Sequence, residues 1–170
     1  YGGGTSTGRK PGFFHMGGQS GPIGFPEQLD TPYTYETLAP KGLAVGSGAI
    51  VVLDDSVCIV EYIQKVFEFF VHESCGKCTP CRLGTTRILE LLTDFVEGRA
   101  KDGDVERLEY MARQVSQLSA CGLGQSVNVA LMSALRHRRG DFEAHINGGA
   151  CPAGACACHE NGRNKACLTI

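Results

Sequence analysis

Three cysteines two residues apart, Cys75, Cys78 and Cys81, lie in the stretch Glu-Ser-Cys-Gly-Lys-Cys-Thr-Pro-Cys-Arg-Leu. A fourth, Cys121, follows after thirty-nine intervening residues inside Ala-Cys-Gly-Leu-Gly. A tight C-x2-C-x2-C loop offers thiolates from three directions to one corner-sharing metal core, and a distant cysteine closes the far side. That is the ligand pattern of an iron–sulfur cube. Zinc, the competing occupant, favours two knuckles of two ligands each, and no second knuckle accompanies Cys121. The spacing therefore predicts a [4Fe–4S] cluster on Cys75, Cys78, Cys81 and Cys121.

A second constellation lies towards the end of the chain. His145, Cys151 and Cys156 are separated by five and then four residues, which suits a small tetrahedral ion. Residues 147–170 are rich in glycine, alanine and cysteine and show no apolar period. Such a tail cannot build a core and needs a staple. Cys58, outside the cluster motif and just after Asp55, is the choice for a fourth ligand, with Cys167 the alternative. Cys158 and His159 sit so close to Cys156 that a shared site would be strained, though either could replace it. The plainer reading of Cys58 is a buried cysteine packing as a small hydrophobe. Zinc is preferred to a second cluster because one ligand is histidine and no C-x2-C pair is present.

The elements that must position these residues differ along the chain. Residues 1–53 hold twelve of the 23 glycines and five of the 7 prolines, which excludes long helices there. Phe13–Met16 and Ala49–Leu53 read as strands, with a long loop over 17–35 between them. From Asp54 the pattern turns helical, with Asp54, Asp55 and Ser56 as candidate N-caps. Val60, Ile63, Phe67 and Phe70 mark the buried side of a first helix running into the cluster loop. Thr79 and Pro80 start a second, with Ile88, Leu92 and Phe95 inward and Gly98 at its end. A third, from about Asp104, buries Val105, Leu108, Met111 or Ala112, Val115 and Leu118 and stops before Cys121. The fourth, 125–138, turns Val127, Leu131, Ala134 and Leu135 inward and ends on the basic run Arg136 to Arg139. Four helices with short loops imply an antiparallel bundle, with the cluster at one end.

Composition sets outer bounds. With 42% hydrophobic residues among 170 and a formal net charge of −2, the chain can fill one or two small cores. No basic stripe suggests nucleic acid, and no apolar run reaches membrane-spanning length. Nine cysteines in metal-type spacing, an odd number, with no signal-peptide pattern, favour a reducing cytoplasmic setting over a disulfide scaffold. The first residue, Tyr1, is not Met, and the chain reads as a fragment or split subunit.

The run from Glu73 to Arg82, with Cys-Gly-Leu-Gly-Gln downstream, resembles the C-terminal part of the NADH-binding flavoprotein subunit of respiratory complex I. It is closer still to the homologous subunit of NAD-dependent iron hydrogenases and formate dehydrogenases. Gly-Gly-Gln-Ser-Gly (17–21), Leu-Asp-Thr-Pro (29–32), Gly-Ser-Gly-Ala-Ile-Val-Val (46–52) and Glu-Ala-His-Ile (143–146) extend the likeness over nearly the whole chain. The resemblance implies an α+β fold. A partial soluble-ligand-binding β-grasp segment (1–54) would precede a four-helix iron–sulfur domain (55–140) and an irregular, metal-pinned tail (141–170). It also implies a cysteine at position 58 in hydrogenase-type members.

The resemblance implies, further, an electron-relay segment of an NADH-linked oxidoreductase, passing single electrons between flavin and partner iron–sulfur centres. The family's glycine-rich flavin and dinucleotide motif does not occur here. FMN and NADH would therefore sit on a missing or partner domain, and the chain would be inactive alone. The implied partners are that flavin/NAD domain and a [2Fe–2S] thioredoxin-like or other iron–sulfur subunit. The rival reading is a non-catalytic, zinc-stapled interaction module.

Overall fold

The structure is a computed structural model and describes residues 3–156. It begins with a small antiparallel sheet of strands β1 (Pro11–Met16), β2 (Ile23–Gly24) and β3 (Ile50–Asp54), in the order β2-β1-β3. The register of β1 against β3 shifts between Pro11 and Phe13. Gly12 sits at that irregularity because a Cβ there would lie 2.6 Å from the Asp54 carbonyl oxygen. The stretch expected to be one long loop contains β2 and is followed by a one-turn helix, α1 (Tyr35–Leu38), with Thr34 as its N-cap. Neither carries enough periodic residues to be seen from sequence.

The helices are α2 (Ile59–Glu73), α3 (Thr79–Val96), α4 (Asp104–Leu118), the short α5 (Gly122–Ser126) and α6 (Asn128–Glu143). Helix α2 packs on α3, α3 on α4, α4 on α6, and α6 back on α2. The apolar stripes supply the shared interior: Ile63, Phe67, Phe70, Ile88, Leu92, Phe95, Leu108, Ala112, Leu131, Ala134 and Phe142 have no measurable exposure. Each large side chain removed from water contributes about 1.5–3 kcal/mol. The edge-on pair Phe95–Phe142, 6.1 Å between centroids, adds about 0.5–1.5 kcal/mol. The same core takes in Phe13, Ile23 and Phe25 from the sheet region and Cys151 and Cys156 from the tail, so all three expected segments share it.

Several local expectations are corrected. Asp54 does not cap α2; its carboxylate accepts from the Ser56 amide (2.9 Å) and the Ser56 and Thr7 hydroxyls (both 2.5 Å), which lower its pKa to about 2. The N-cap is Cys58. Leu118, expected inward, is 63% exposed, because it closes the last turn of α4 beyond the reach of the shared interior. The basic run is not a helix end. The chain kinks at Arg138 (φ −136°, ψ 35°) and continues to Glu143. The Arg138 guanidinium lies 4.6 Å from the Phe25 ring centroid and His137 stacks on the same ring, while Arg139 pairs with Glu106, Glu109 and Glu143. These contacts tie α6 to the sheet region and to α4.

Helices α3 and α4 approach closely at Gly84, where a Cβ would lie 2.1 Å from Cγ2 of Val115. Gly84→Ala is expected to force this seam apart and cost about 1–3 kcal/mol in urea unfolding. An unchanged midpoint would show that Val115 simply rotates away.

Candidate functional site

The cluster loop occupies the junction between α2 and α3. Gly76 takes a left-handed turn (φ 73°) between Cys75 and Cys78. Cys78 then caps α3, with Pro80 in the first turn. The structure leaves Cys75 and Cys121 exposed, Cys78 half-buried and Cys81 buried. The Ser74 hydroxyl lies 3.4 Å from the Cys81 sulfur, and Thr85 returns its hydroxyl to the Cys81 carbonyl at 2.8 Å.

The segment before Cys121 closes onto this loop. The Cys78 thiol is held below its ordinary pKa, first by the backbone amide of Ala120, then by that of Cys81, with the Ser119 hydroxyl a smaller contributor. Cys121 itself is the N-cap of α5 in extended conformation (φ −134°, ψ 167°). A methyl group on Gly124 would lie 2.4 Å from both Cβ and Oγ of Ser119 and 3.4 Å from Cβ of Cys81, so only glycine lets Ser119 pack this closely. Among the described residues the Ser119 hydroxyl oxygen is the buried side-chain polar atom without a well-aligned hydrogen-bond partner.

The second constellation is drawn together more tightly. One ligand atom each from Cys58, His145, Cys151 and Cys156 lies within 4.8 Å of the others, and all four residues are buried. Cys58 faces this point from the start of α2, its sulfur 3.5 Å from Nε2 of His145, and does not cap its own helix with its side chain. The His145 ring follows α6 and donates from Nδ1 to the Asp141 carbonyl (2.6 Å), which turns Nε2 towards the sulfurs. Cys151 and Cys156 bracket a turn closed by Gly154 N–H to the Cys151 carbonyl (2.9 Å), with Gly154 left-handed.

The ionisation of these groups is strongly interdependent. Cys151 is driven far down, chiefly by the Cys156 thiol donating to it, and Cys156 correspondingly up. Burial lowers the His145 pKa, but hydrogen bonds with Cys151 and Cys58 outweigh it and carry the group to about 11. Three thiols and an imidazole thus crowd their protons around a point that a divalent cation could fill. Ligand atoms of a zinc tetrahedron, with bonds of ~2.0–2.3 Å, stand roughly 3.5–4 Å apart, and the spacing here suits that. The cluster cysteines do not reach such mutual closeness, and a four-iron cube spreads its thiolates wider than one ion does. Cys158, His159 and Cys167, the alternative tail ligands, lie outside the described residues.

Two functional positions escaped the sequence reading: Asp141, which orients His145 from one turn back, and Ser119. Only the offset from His145 in one case, and proximity to Cys121 in the other, could have signalled them.

The family described as the NADH-ubiquinone oxidoreductase-F iron-sulfur binding region matches residues 61–145, half of the chain. The chain belongs to this family. Its similarity extends further, for it is 37% identical over 150 residues to the F subunit of NADH-quinone oxidoreductase in Streptomyces coelicolor, covering 88% of this chain and 33% of that protein. It is 34% identical over 155 residues to the NADP-reducing hydrogenase subunit HndC of Solidesulfovibrio fructosivorans, covering 91% of this chain and 32% of the relative. A crystal structure of an NAD+-reducing [NiFe]-hydrogenase in the air-oxidised state superposes with a TM-score of 0.72 at 31% identity, covering 81% of this chain and 24% of that one. The chain therefore spans about a third of the length of these curated relatives. Among the described residues no helix is long and apolar enough to cross a membrane.

Proposed function

We propose that this chain is the electron-relay segment of an NADH-linked oxidoreductase of the complex I, hydrogenase or formate dehydrogenase type. In this reading a [4Fe–4S] cluster sits on Cys75, Cys78, Cys81 and Cys121 and supplies one-electron transfer between a flavin and a partner iron–sulfur centre. The family match carries it, since the matched span contains all four cysteines. The chain's own residues meet what such a group needs. Amides of Ala120 and Cys81 favour the Cys78 thiolate, Gly124 lets Ser119 pack close beside Cys81, and the buried Ser119 hydroxyl awaits an acceptor. That same family match favours the relay over a zinc-only interaction module.

The reading includes a zinc ion on Cys58, His145, Cys151 and Cys156, pinning the tail to the start of α2. Zinc suits this donor set better than a second cluster because of the histidine and the closeness of the four donors. FMN and NADH belong to another domain, and the partners are that flavin/NAD domain and a [2Fe–2S] thioredoxin-like or other iron–sulfur subunit. The four-helix arrangement serves as insulation and placement for the relay, in the reducing cytoplasm that the cysteine usage suggests.

Anaerobic purification with iron, sulfide and zinc analysis and electron paramagnetic resonance tests both metals together. About four iron atoms and one zinc per chain are expected. Iron-free protein with zinc in both places would support the rival module. The purified chain is expected not to reduce ferricyanide with NADH until a flavin-bearing partner is added. Turnover by the flavin-free chain alone would overturn that division of labour.

A further inference from the structure

Ser119 has an environment that neither its helix nor its neighbours explain. It is 95% buried, since its exposure is 5%. Both of its backbone groups are used: its amide donates to the Val115 carbonyl (3.1 Å) and its carbonyl accepts from Gln125 Nε2 (3.2 Å). Its hydroxyl is not used in this way. Elsewhere in the helices, hydroxyls turn back onto a carbonyl one turn earlier, as Thr85, Thr86 and Thr93 do. Ser119 cannot follow them, because it has left the helix for extended backbone (φ −78°, ψ 145°) as the C-cap of α4. A buried hydroxyl without a partner is costly, and in a native protein it calls for an acceptor that the described residues do not show.

The surroundings narrow the acceptor to sulfur. The hydroxyl packs directly against Gly124, whose missing side chain would also touch Cβ of Cys81, so Ser119 sits beside the cysteine turn. The Cys81 sulfur already has a hydroxyl neighbour, Ser74, at 3.4 Å. Cys78, the N-cap of α3, opens the same turn that carries Cys81. We propose that the Ser119 hydroxyl donates a hydrogen bond to a thiolate sulfur of the Cys78–Cys81 turn in the cluster-loaded protein and raises the cluster's reduction potential. Ser119 is thus a positioning and tuning residue, not a ligand. The inference rests on the cluster reading above. Its physics is that an added electron raises the negative charge on the thiolate sulfur, so a donor to that sulfur stabilises the reduced state more than the oxidised one.

The test is a redox titration of the anaerobically purified, iron-loaded chain followed by electron paramagnetic resonance, for wild type, Ser119→Ala and Ser119→Thr. Ser119→Ala removes only an oxygen and is expected to disfavour reduction several-fold and up to about tenfold. A tenfold loss is a downward shift of about 59 mV for one electron. Ser119→Thr keeps the hydroxyl and is expected to restore the potential. In wild type exchanged into D2O, electron–nuclear double resonance should find an exchangeable deuteron coupled to the cluster that Ser119→Ala lacks. An unchanged potential with the same exchangeable couplings overturns the proposal. So does a Ser119→Ala protein that keeps its helices but cannot assemble the cluster, because the hydroxyl would then serve assembly and not tuning. Failure of the wild-type chain to hold iron would be a failure of the relay reading itself, and it is recognised before any variant is compared.

Discussion

Cys121→Ser is expected to remove most of the cluster iron and to slow electron relay by more than an order of magnitude while leaving the fold intact. Cys121 is the one proposed ligand from outside the C-x2-C-x2-C loop, so no neighbouring thiolate can replace it without breaking another position. The substitution is unusually clean structurally. Cys121 is exposed and caps α5 from extended backbone, and serine is a better N-cap than cysteine. Helix content and the urea midpoint of the metal-free protein should therefore stay within about 0.5 kcal/mol of wild type, and loss of iron reports on the metal site alone. An unchanged iron content and an unchanged spectrum would remove Cys121 from the site.

The second large effect is expected at the other constellation. Cys58→Ser or His145→Ala should release the proposed zinc and make residues 144–156 susceptible to proteolysis. Apparent binding energies for structural zinc are about 10–16 kcal/mol in small domains, so losing even part of such a site costs several kcal/mol. The two variants probe different links. Cys58 ties the site to the start of α2, whereas His145 ties it to the end of α6 through the Asp141 carbonyl. Limited proteolysis and zinc stoichiometry give the readout. Full zinc retention by Cys58→Ser, with loss in Cys167→Ser, would mean that the tail closes on itself without touching α2. Because each thiol must shed its proton to bind metal, acidification should release this zinc in wild type as well.

The long helices were legible because their stripes repeat over four turns or more. Ile63, Phe67 and Phe70, or Leu108, Ala112 and Val115, needed only the period of 3.6. Strand β2 and helix α1 were not legible, since two and four residues hold no measurable period. The end of α6 was misread because a basic run suits a helix C-terminus electrostatically, yet here Phe25, Glu106 and Glu109 draw those side chains to other elements. Cysteine spacing pointed to the two constellations, and the structure brings Cys58, His145, Cys151 and Cys156 to one point across a sequence gap that spacing alone could not bridge. Ser119 stayed invisible because its peculiarity is the lack of a partner, a property of three-dimensional surroundings.

Strand β3 lies at the edge of the sheet, and Ile50, Val51 and Val52 are about half exposed, at 50%, 51% and 46%. Successive strand residues point to opposite faces, so both faces of this stretch carry partly exposed apolar side chains, and its outer backbone groups have no strand beside them among the described residues. Proteins ordinarily blunt such an edge with charge, proline or a covering element, and among the described residues the run from Ile50 to Val52 has none of the three. Handled by itself at high concentration, the chain therefore offers a ready template for cross-strand association between copies. Its association in solution is then open to a short stretch of sheet edge, even while the helices remain fully folded.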